Sequence, residues 1–156
     1  MKTFPRGVKL DSQKDKTRLS PIIEAAVPKK VVLPLQQNLG CPSEPLVKIG
    51  DEVFEGQKIA DSKLLVSAPI HASISGIVIK IEKLPNACGF DLPSIVIENQ
   101  PPDLPEVRYE SKWTPEELTP DQIKKIIREA GIVGLGGATF PTHVKLSPPE
   151  GKKIEQ

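Results

Sequence analysis

A glycine-rich stretch in the last third of the chain holds the residues whose types and spacing could do chemistry. Residues 130–146 read AGIVGLGGATFPTHVKL, with glycines at Gly134, Gly136 and Gly137. Such glycines leave backbone N–H groups uncovered, so that several can turn toward one anion, and a phosphate is the usual guest of such a nest. Lys145 could add a full positive charge beside it. The stretch therefore predicts a phosphate-binding loop, with a glycine-rich turn that holds no ligand as the alternative.

The loop does not have the dinucleotide-binding fingerprint of an ordinary Rossmann fold. Thr139 stands where the third glycine of that fingerprint would be. The fingerprint also needs a strand before the loop, whereas the residues before this loop predict a helix. An ordinary Rossmann site is therefore disfavoured.

One helix is predicted immediately before the loop. Thr119 is a good N-cap, Pro120 fits the first helical position, and Gln122 completes a capping box. Gly131 is placed to end the helix as a left-handed residue. The apolar positions share one face at helical spacing: Ile123, Ile126, Ile127 and Ala130.

The residues before position 99 predict short β-strands joined by tight turns. Gly50-Asp51 and Gly56-Gln57 are turn pairs between apolar residues. The period-two pattern from Ser75 to Glu82 predicts a strand with three isoleucines on one face, namely Ile77, Ile79 and Ile81. A second strand is predicted over residues 94–98. Pro34 marks the end or the edge position of an earlier strand.

Composition limits the class of protein and of site. The 17 prolines and 11 glycines favour short strands, and 21 basic against 20 acidic residues give no charge that would gather nucleic acid. No apolar run reaches the roughly 20 residues that span a bilayer, and no signal peptide is recognisable, which predicts a cytoplasmic chain. Cys41 and Cys88 have no CxxC spacing. No metal site and no catalytic residue are predicted.

Four segments are predicted along the chain. Residues 1–28 form an extended lead-in, residues 29–98 a β domain, residues 99–118 a proline-rich linker, and residues 119–156 the start of a second domain. The sequence thus favours a mainly β protein followed by one helix.

Part of the β domain resembles the barrel-sandwich hybrid fold of lipoyl and biotinyl carrier domains. The resemblance lies in GDEVFEGQ and SAPIHASISGIV, residues 50–57 and 67–78. A carrier presents a lysine on an exposed hairpin, and Lys63 is the candidate here. Its hairpin is shorter than a carrier's and continues into apolar residues, so a scaffold without a prosthetic group is favoured. His71 is interpreted as a hydrogen-bonded turn residue.

The whole chain is similar to a more specific family. The glycine loop resembles that of the NADH-binding flavoprotein subunit of respiratory complex I, in which a helix leads to Arg-Gly-Arg-Gly-Gly-Ala-Gly-Phe-Pro-Thr-Gly and a lysine. It is closer still to the C subunit of the Rnf electron transport complex, where this loop follows a β domain with matching motifs. The matching pieces here are Pro34-Leu35-Gln36, Gly40-Cys41-Pro42, Gly50-Asp51, Gly56-Gln57 and Ser67 to Ser73.

That resemblance implies a flavin site and a redox role. By position, the loop would approach the FMN phosphate and ribityl chain, Lys145 would pair with phosphate, and Phe140 would stand beside the nicotinamide nucleotide of NADH. The implied site residues are Gly134, Gly136, Gly137, Ala138, Phe140 and Lys145. Thr139 replaces a glycine of the complex I loop, and its side chain argues against close approach of the backbone to the cofactor at that position.

The resemblance also implies the setting of the chain. The family exchanges electrons between NAD(H) and flavin and iron–sulfur centres, in a membrane-bound complex coupled to ferredoxin and ion transport. The chain would then be part of a peripheral subunit on the cytoplasmic side of the membrane. Its helix would begin an α/β flavin-nucleotide domain that is truncated here, and the iron–sulfur clusters would lie only further downstream. Because it stops at Gln156, it is not expected to react alone. A non-catalytic assembly module and a lipoyl-like or biotinyl-like carrier are the alternatives.

Overall fold

Two small antiparallel sheets form the β domain in a computed structural model that describes residues 13–86, 89–100, 114, 117–149 and 151. The strands are β1 (Lys30–Pro34), β2 (Glu44–Pro45), β3 (Glu52–Val53), β4 (Lys58–Asp61), β5 (Ile70–His71), β6 (Gly76–Pro85) and β7 (Asp91–Asn99). One sheet has the strand order β1-β7-β6-β3 and the other β2-β4-β5. The predicted mainly β fold is confirmed, and Pro34 does end an edge strand.

A single aliphatic core lies between the two sheets. Both sheets contribute to it, with Val53, Val78, Ile95 and Ile97 from one sheet and Ile59, Ala60 and Ile70 from the other. Ile59, Ile95, Ile97, Val53 and Val78 are fully buried. Burial of each such side chain contributes about 1.5–3 kcal/mol, so the core accounts for why strands of two to ten residues hold together.

The expectation that Ile77, Ile79 and Ile81 share one face is wrong. Val78 is fully buried, whereas Ile77 and Ile79 are half-buried. The pairing of β6 with β7 shifts between Val78 and Lys80, so that Ile79 is an extra residue in the ladder. A bulge of this kind reverses which residues face inward, and beyond it Ile81 packs against the core.

The predicted helix is confirmed as α1 (Pro120–Glu129). Thr119 is its N-cap, and both hydrogen bonds of the capping box to Gln122 are present. Ala130 is the C-cap, and Gly131 follows with φ +69°. A second short helix, α2 (Thr142–Lys145), follows the glycine loop.

The segments around the β domain are described only in part. Residues 13–28 are exposed and contain a short 3-10 helix, Lys14–Lys16. Residues 1–12 of the predicted lead-in and most of the predicted linker, residues 101–113 and 115–116, lie outside the described residues. The domain boundaries and the α/β flavin-nucleotide domain stay predictions. Within the described part, no helix is long and apolar enough to cross a bilayer.

Candidate functional site

The glycine loop leaves α1 and returns to α2 through a narrow neck. The neck is an isolated antiparallel bridge between Val133 and Pro141. Its two hydrogen bonds run from the Gly134 N–H to the Phe140 carbonyl, at 2.9 Å, and from the Thr142 N–H to the Ile132 carbonyl, at 3.1 Å. Residues 134–140 therefore form a closed loop with a fixed base.

The tip of this loop carries uncommitted backbone donors. Gly136 and Gly137 have φ +81° and +59°, and a Cβ added to either would meet no atom within 4 Å. The backbone N–H groups from Leu135 to Ala138 donate no hydrogen bond to any part of the chain that the structure describes. These residues are exposed. Four consecutive amides are thus available to an anion at the surface.

Lys145 is brought back against the loop by α2. A Cβ on Gly134 would collide with the Lys145 Nζ and would lie 3.6 Å from the Phe140 carbonyl oxygen. The absence of a side chain at Gly134 is what lets the ammonium group lie over the neck. Lys145 forms no ion pair with a carboxylate among the described residues. The structure therefore brings together Gly134, Phe140 and Lys145.

The far side of the loop is anchored on the β domain. Thr139 has φ +49°, and its hydroxyl lies 2.7 Å from the Ala138 carbonyl and 3.1 Å from the Gln37 carbonyl. The Leu39 N–H donates to the Ala138 carbonyl at 3.0 Å. At the position where the complex I pattern has glycine, the threonine hydroxyl thus ties the loop to the connection between β1 and β2.

His143 holds α2 against the connection between β4 and β5. The residue is 7% exposed, and its Nε2 lies 3.0 Å from the Leu65 carbonyl. A carbonyl only accepts, so Nε2 carries the proton, and the buried Nδ1 has no hydrogen-bond partner among the described residues. The residue types alone did not point to it, although His143 replaces the last glycine of the complex I loop pattern.

An ion network joins the end of α1 to β4. The Arg128 guanidinium contacts both Asp61 carboxylate oxygens, at 2.8 and 3.2 Å, and donates to the Ser62 carbonyl at 2.7 Å. Lys58 bridges the Asp61 and Glu129 carboxylates. Residues 67 positions apart meet here, so no local pattern could have predicted the network.

The network shifts the pKa values of its members. Partial burial raises the pKa of Asp61, but hydrogen bonds from Arg128, Ser62 and Lys58 outweigh it, so the pKa falls below its ordinary value. The pKa of Arg128 is raised, chiefly by its hydrogen bonds to Asp61. Both groups are held in their charged forms.

His71 lies where α1 ends. Burial lowers its pKa, and a hydrogen bond to the Glu129 backbone opposes that shift only in part. A Cβ on Gly131 would lie 2.7 Å from the Pro69 carbonyl oxygen and 3.3 Å from His71 Nδ1. The expectation that His71 is a turn residue is wrong, because it lies in strand β5 and pairs with Lys58 of β4. Its contacts with the end of α1 are structural.

A groove of about 910 Å³ runs between α1 and the β domain. Its lining residues are Gly56, Lys58, His71, Leu118, Gln122, Lys125, Ile126, Glu129 and Ala130. None of the sequence-predicted site residues lines it. The candidate site is thus the glycine loop, and the groove is a separate concavity.

The structure offers no cluster of metal ligands in its described part. No group of three or more His, Cys, Asp or Glu side chains could hold a metal ion among those residues. Cys41 is a free, half-buried thiol, and Cys88 lies outside the described residues.

Two antiparallel sheets that share one aliphatic core, with glycine turns between short strands, define a barrel sandwich hybrid domain. Here a helix-loop-helix segment is docked on that domain. A family model described as the RnfC barrel sandwich hybrid domain matches residues 2–101. The chain belongs to this family.

Curated relatives cover nearly the whole chain. It is 42% identical over 153 residues to the C subunit of a Na⁺-translocating ferredoxin:NAD⁺ oxidoreductase complex of Acetobacterium woodii, covering 98% of this chain and 34% of that protein. It is 45% identical over 157 residues to a proton-translocating counterpart of Clostridium ljungdahlii, covering 99% and 34%. The C subunit of an ion-translocating oxidoreductase complex of Vibrio cholerae is 39% identical over 145 residues, covering 92% and 19%. The chain thus spans about a third or less of these relatives.

Proposed function

We propose that this chain is the part of an ion-translocating ferredoxin:NAD oxidoreductase subunit that carries and shapes a phosphate-binding loop for FMN. The observation that carries the proposal is the run of four exposed amides, Leu135 to Ala138, that donate to no described residue. The names of the relatives, which include ferredoxin:NAD⁺ oxidoreductase subunits, support it.

The residues of the loop fit a phosphate monoester. Left-handed backbone at Gly136 and Gly137, with open space where a Cβ would be, allows an oxygen to approach the amides closely. Lys145, which has no described carboxylate partner, would supply the charge. Phe140 is half-buried at the neck and would stand beside the nicotinamide nucleotide. The site is thus a phosphate nest with one cation.

The role of this chain in the reaction is to bind and to orient. FMN, when bound, supplies hydride exchange with NADH and single-electron steps toward iron–sulfur centres. The loop amides and Lys145 would fix the phosphate end, and the β domain would fix the loop. No residue of this chain is assigned a proton transfer or a covalent step, and the iron–sulfur clusters are assigned to the downstream part of the full-length protein.

The carrier alternative is disfavoured by the contacts of its own hairpin. A swinging prosthetic group needs a free hairpin tip, but here Arg128 bonds the Ser62 carbonyl on one side of Lys63 and His143 bonds the Leu65 carbonyl on the other. The hairpin therefore serves as a docking platform for the segment that carries the loop. This geometry also favours a scaffold role for the β domain.

Partners and location follow from the same proposal. The chain would assemble with the other subunits of the Rnf complex, exchange electrons with NADH and, through the complex, with ferredoxin. It would sit peripherally on the cytoplasmic side of the membrane. Washing of inside-out membrane vesicles with high salt or at alkaline pH tests this placement, because it should release the full-length protein while the membrane-spanning subunits stay in the pellet. Retention of the protein in the pellet after both washes would contradict a peripheral location.

Titration with FMN tests the site. In the full-length protein, Lys145→Ala should weaken FMN binding by about one to two orders of magnitude, since a charged hydrogen bond contributes roughly 1.5–3 kcal/mol. Lys83→Ala, which removes an exposed lysine of β6, is the matched control for net charge and should bind as the unaltered protein does. Equal FMN affinity of the two variants, or no FMN binding by the unaltered protein, would refute the proposed site.

A further inference from the structure

The last turn of the helix that leads into the glycine loop is attached to the β domain by polar contacts. No side chain of α1 is buried, and Ile123 and Ile126 of its apolar stripe are 37% and 43% exposed. Ile127 is half-buried, and the side chains of Arg128 and Asp61 are 23% and 21% exposed. A partly buried ion pair thus joins the last turn of α1 to β4.

The geometry of that ion pair is specific. Arg128 meets both carboxylate oxygens of Asp61 and also bonds the Ser62 carbonyl, so three acceptors on one strand end fix the plane of the guanidinium. Two parallel N–H···O bonds from a planar group define an orientation as well as a distance. Lysine at position 128 could supply the charge but not this orientation.

The ion pair lies close to the loop along the chain. Six positions separate Arg128 from Gly134, and two of the intervening residues are fixed by their own contacts. Gly131 turns against the Pro69 carbonyl, and the Ile132 carbonyl accepts the Thr142 N–H at the neck. A rotation of the last turn of α1 would thus move the neck and the amides at the loop tip.

We infer that Arg128, held by Asp61, is a positioning residue for the cofactor loop. The inference rests on the proposed function, since its consequence is an effect on FMN binding. Neither residue contacts the loop tip. Their contribution is to restrict the orientations of the loop, so that the amides face one direction before the phosphate arrives.

Binding measurements on the full-length protein test this role. At 10 °C, with folding checked by circular dichroism, Arg128→Gln and Asp61→Asn should each weaken FMN binding by roughly five- to fiftyfold. The double variant should lose less affinity than the sum of the two single losses, because the contact between Arg128 and Asp61 is common to both changes. Arg128→Lys should recover only part of the affinity, since it restores charge without the paired hydrogen bonds.

A matched control removes an exposed ion pair at the start of β1, the end of that strand away from the connection that contacts the loop. Glu98→Gln breaks the exposed pair of Lys30 and Glu98, whose charged atoms lie 3.9 Å apart, and should leave FMN affinity within about twofold. A purely structural role for Arg128 would lower the melting temperature while leaving the affinity of the folded protein unchanged. That result, or additive losses in the double variant, would overturn the inference.

The two proposals fail in different ways. If the unaltered protein binds no FMN, or if Lys145→Ala has no effect, the proposed site is wrong. If FMN binds in a Lys145-dependent way and the variants at Arg128 and Asp61 bind as tightly as the unaltered protein, only the positioning role is wrong.

Discussion

Replacement of Gly131 by alanine probes how the loop-bearing segment is docked. Gly131 has φ +69°, and a Cβ there would lie 2.7 Å from the Pro69 carbonyl oxygen, about 0.7 Å short of an ordinary contact. The left-handed conformation costs alanine roughly 1–2 kcal/mol. The collision adds about 1–3 kcal/mol, because the atom that must yield is backbone. The docked state of α1 should therefore weaken by roughly 2–5 kcal/mol.

Gly89→Ala is a control that separates the cost of the left-handed backbone from the cost of the collision. Gly89 has φ +82° in the turn between β6 and β7, and a Cβ there would meet no atom within 4 Å. Alanine at this position therefore carries a comparable backbone cost without a collision. The loss of local stability should therefore affect the β6–β7 hairpin and not α1.

Amide hydrogen exchange is the assay, because it reports local opening separately for each element. In Gly131→Ala, protection of the α1 amides should fall by at least about thirtyfold, while the amides of β6 and β7 keep their protection. In Gly89→Ala, α1 should be unaffected. Equal protection of α1 in the two variants would refute the reasoning, as would a uniform loss over α1 and β6 in Gly131→Ala.

Three further results are expected. Docking should weaken as the pH falls below about 6.5, the ordinary pKa of His71, because the folded pKa of His71 is lowered and the undocked state takes up the proton first. Asp61, whose pKa is also lowered, should add a loss only as the pH falls below its ordinary value of 3.8. Both losses of docking stability are measured as the amide hydrogen exchange of α1 at a series of pH values. His71→Asn should abolish the loss that begins near pH 6.5. Thr139→Ser should keep the hydroxyl bond to the Gln37 carbonyl and FMN affinity, whereas Thr139→Val should lower affinity severalfold; equal titrations would contradict this. Coexpression with biotinyl and lipoyl ligases should leave the intact mass unchanged, and a mass increment lost in Lys63→Arg would restore the carrier hypothesis.

The sequence contains most of the local signals of the fold. Thr119, Pro120 and Gln122 specify the start of α1 through contacts within one turn, so the helix could be predicted from neighbouring residues. Period-two alternation located β6 and β7, and the glycine turns indicated a small sandwich. The faces of β6 could not be predicted, because the bulge at Ile79 depends on pairing with β7 rather than on β6 itself.

The candidate site divides in the same way. The glycines and Lys145 stand out as a short string with recognisable chemistry. The contacts that hold the glycine loop in place cannot be recognised in the sequence, because Arg128 and Asp61 are 67 positions apart and Thr139 and Gln37 are 102 apart. Each of these side chains is ordinary in its local sequence. Only the folded β domain shows that they meet.

The central claim is that backbone amides at the loop tip recognise a phosphate, and comparison of FMN with riboflavin tests it most directly. The two ligands differ only in the phosphate group, so the ratio of their dissociation constants isolates its contribution. The full-length protein should bind FMN at least about tenfold more tightly than riboflavin, and Lys145→Ala should reduce that ratio. Equal affinities for FMN and riboflavin would contradict the phosphate-binding role of residues 134–145.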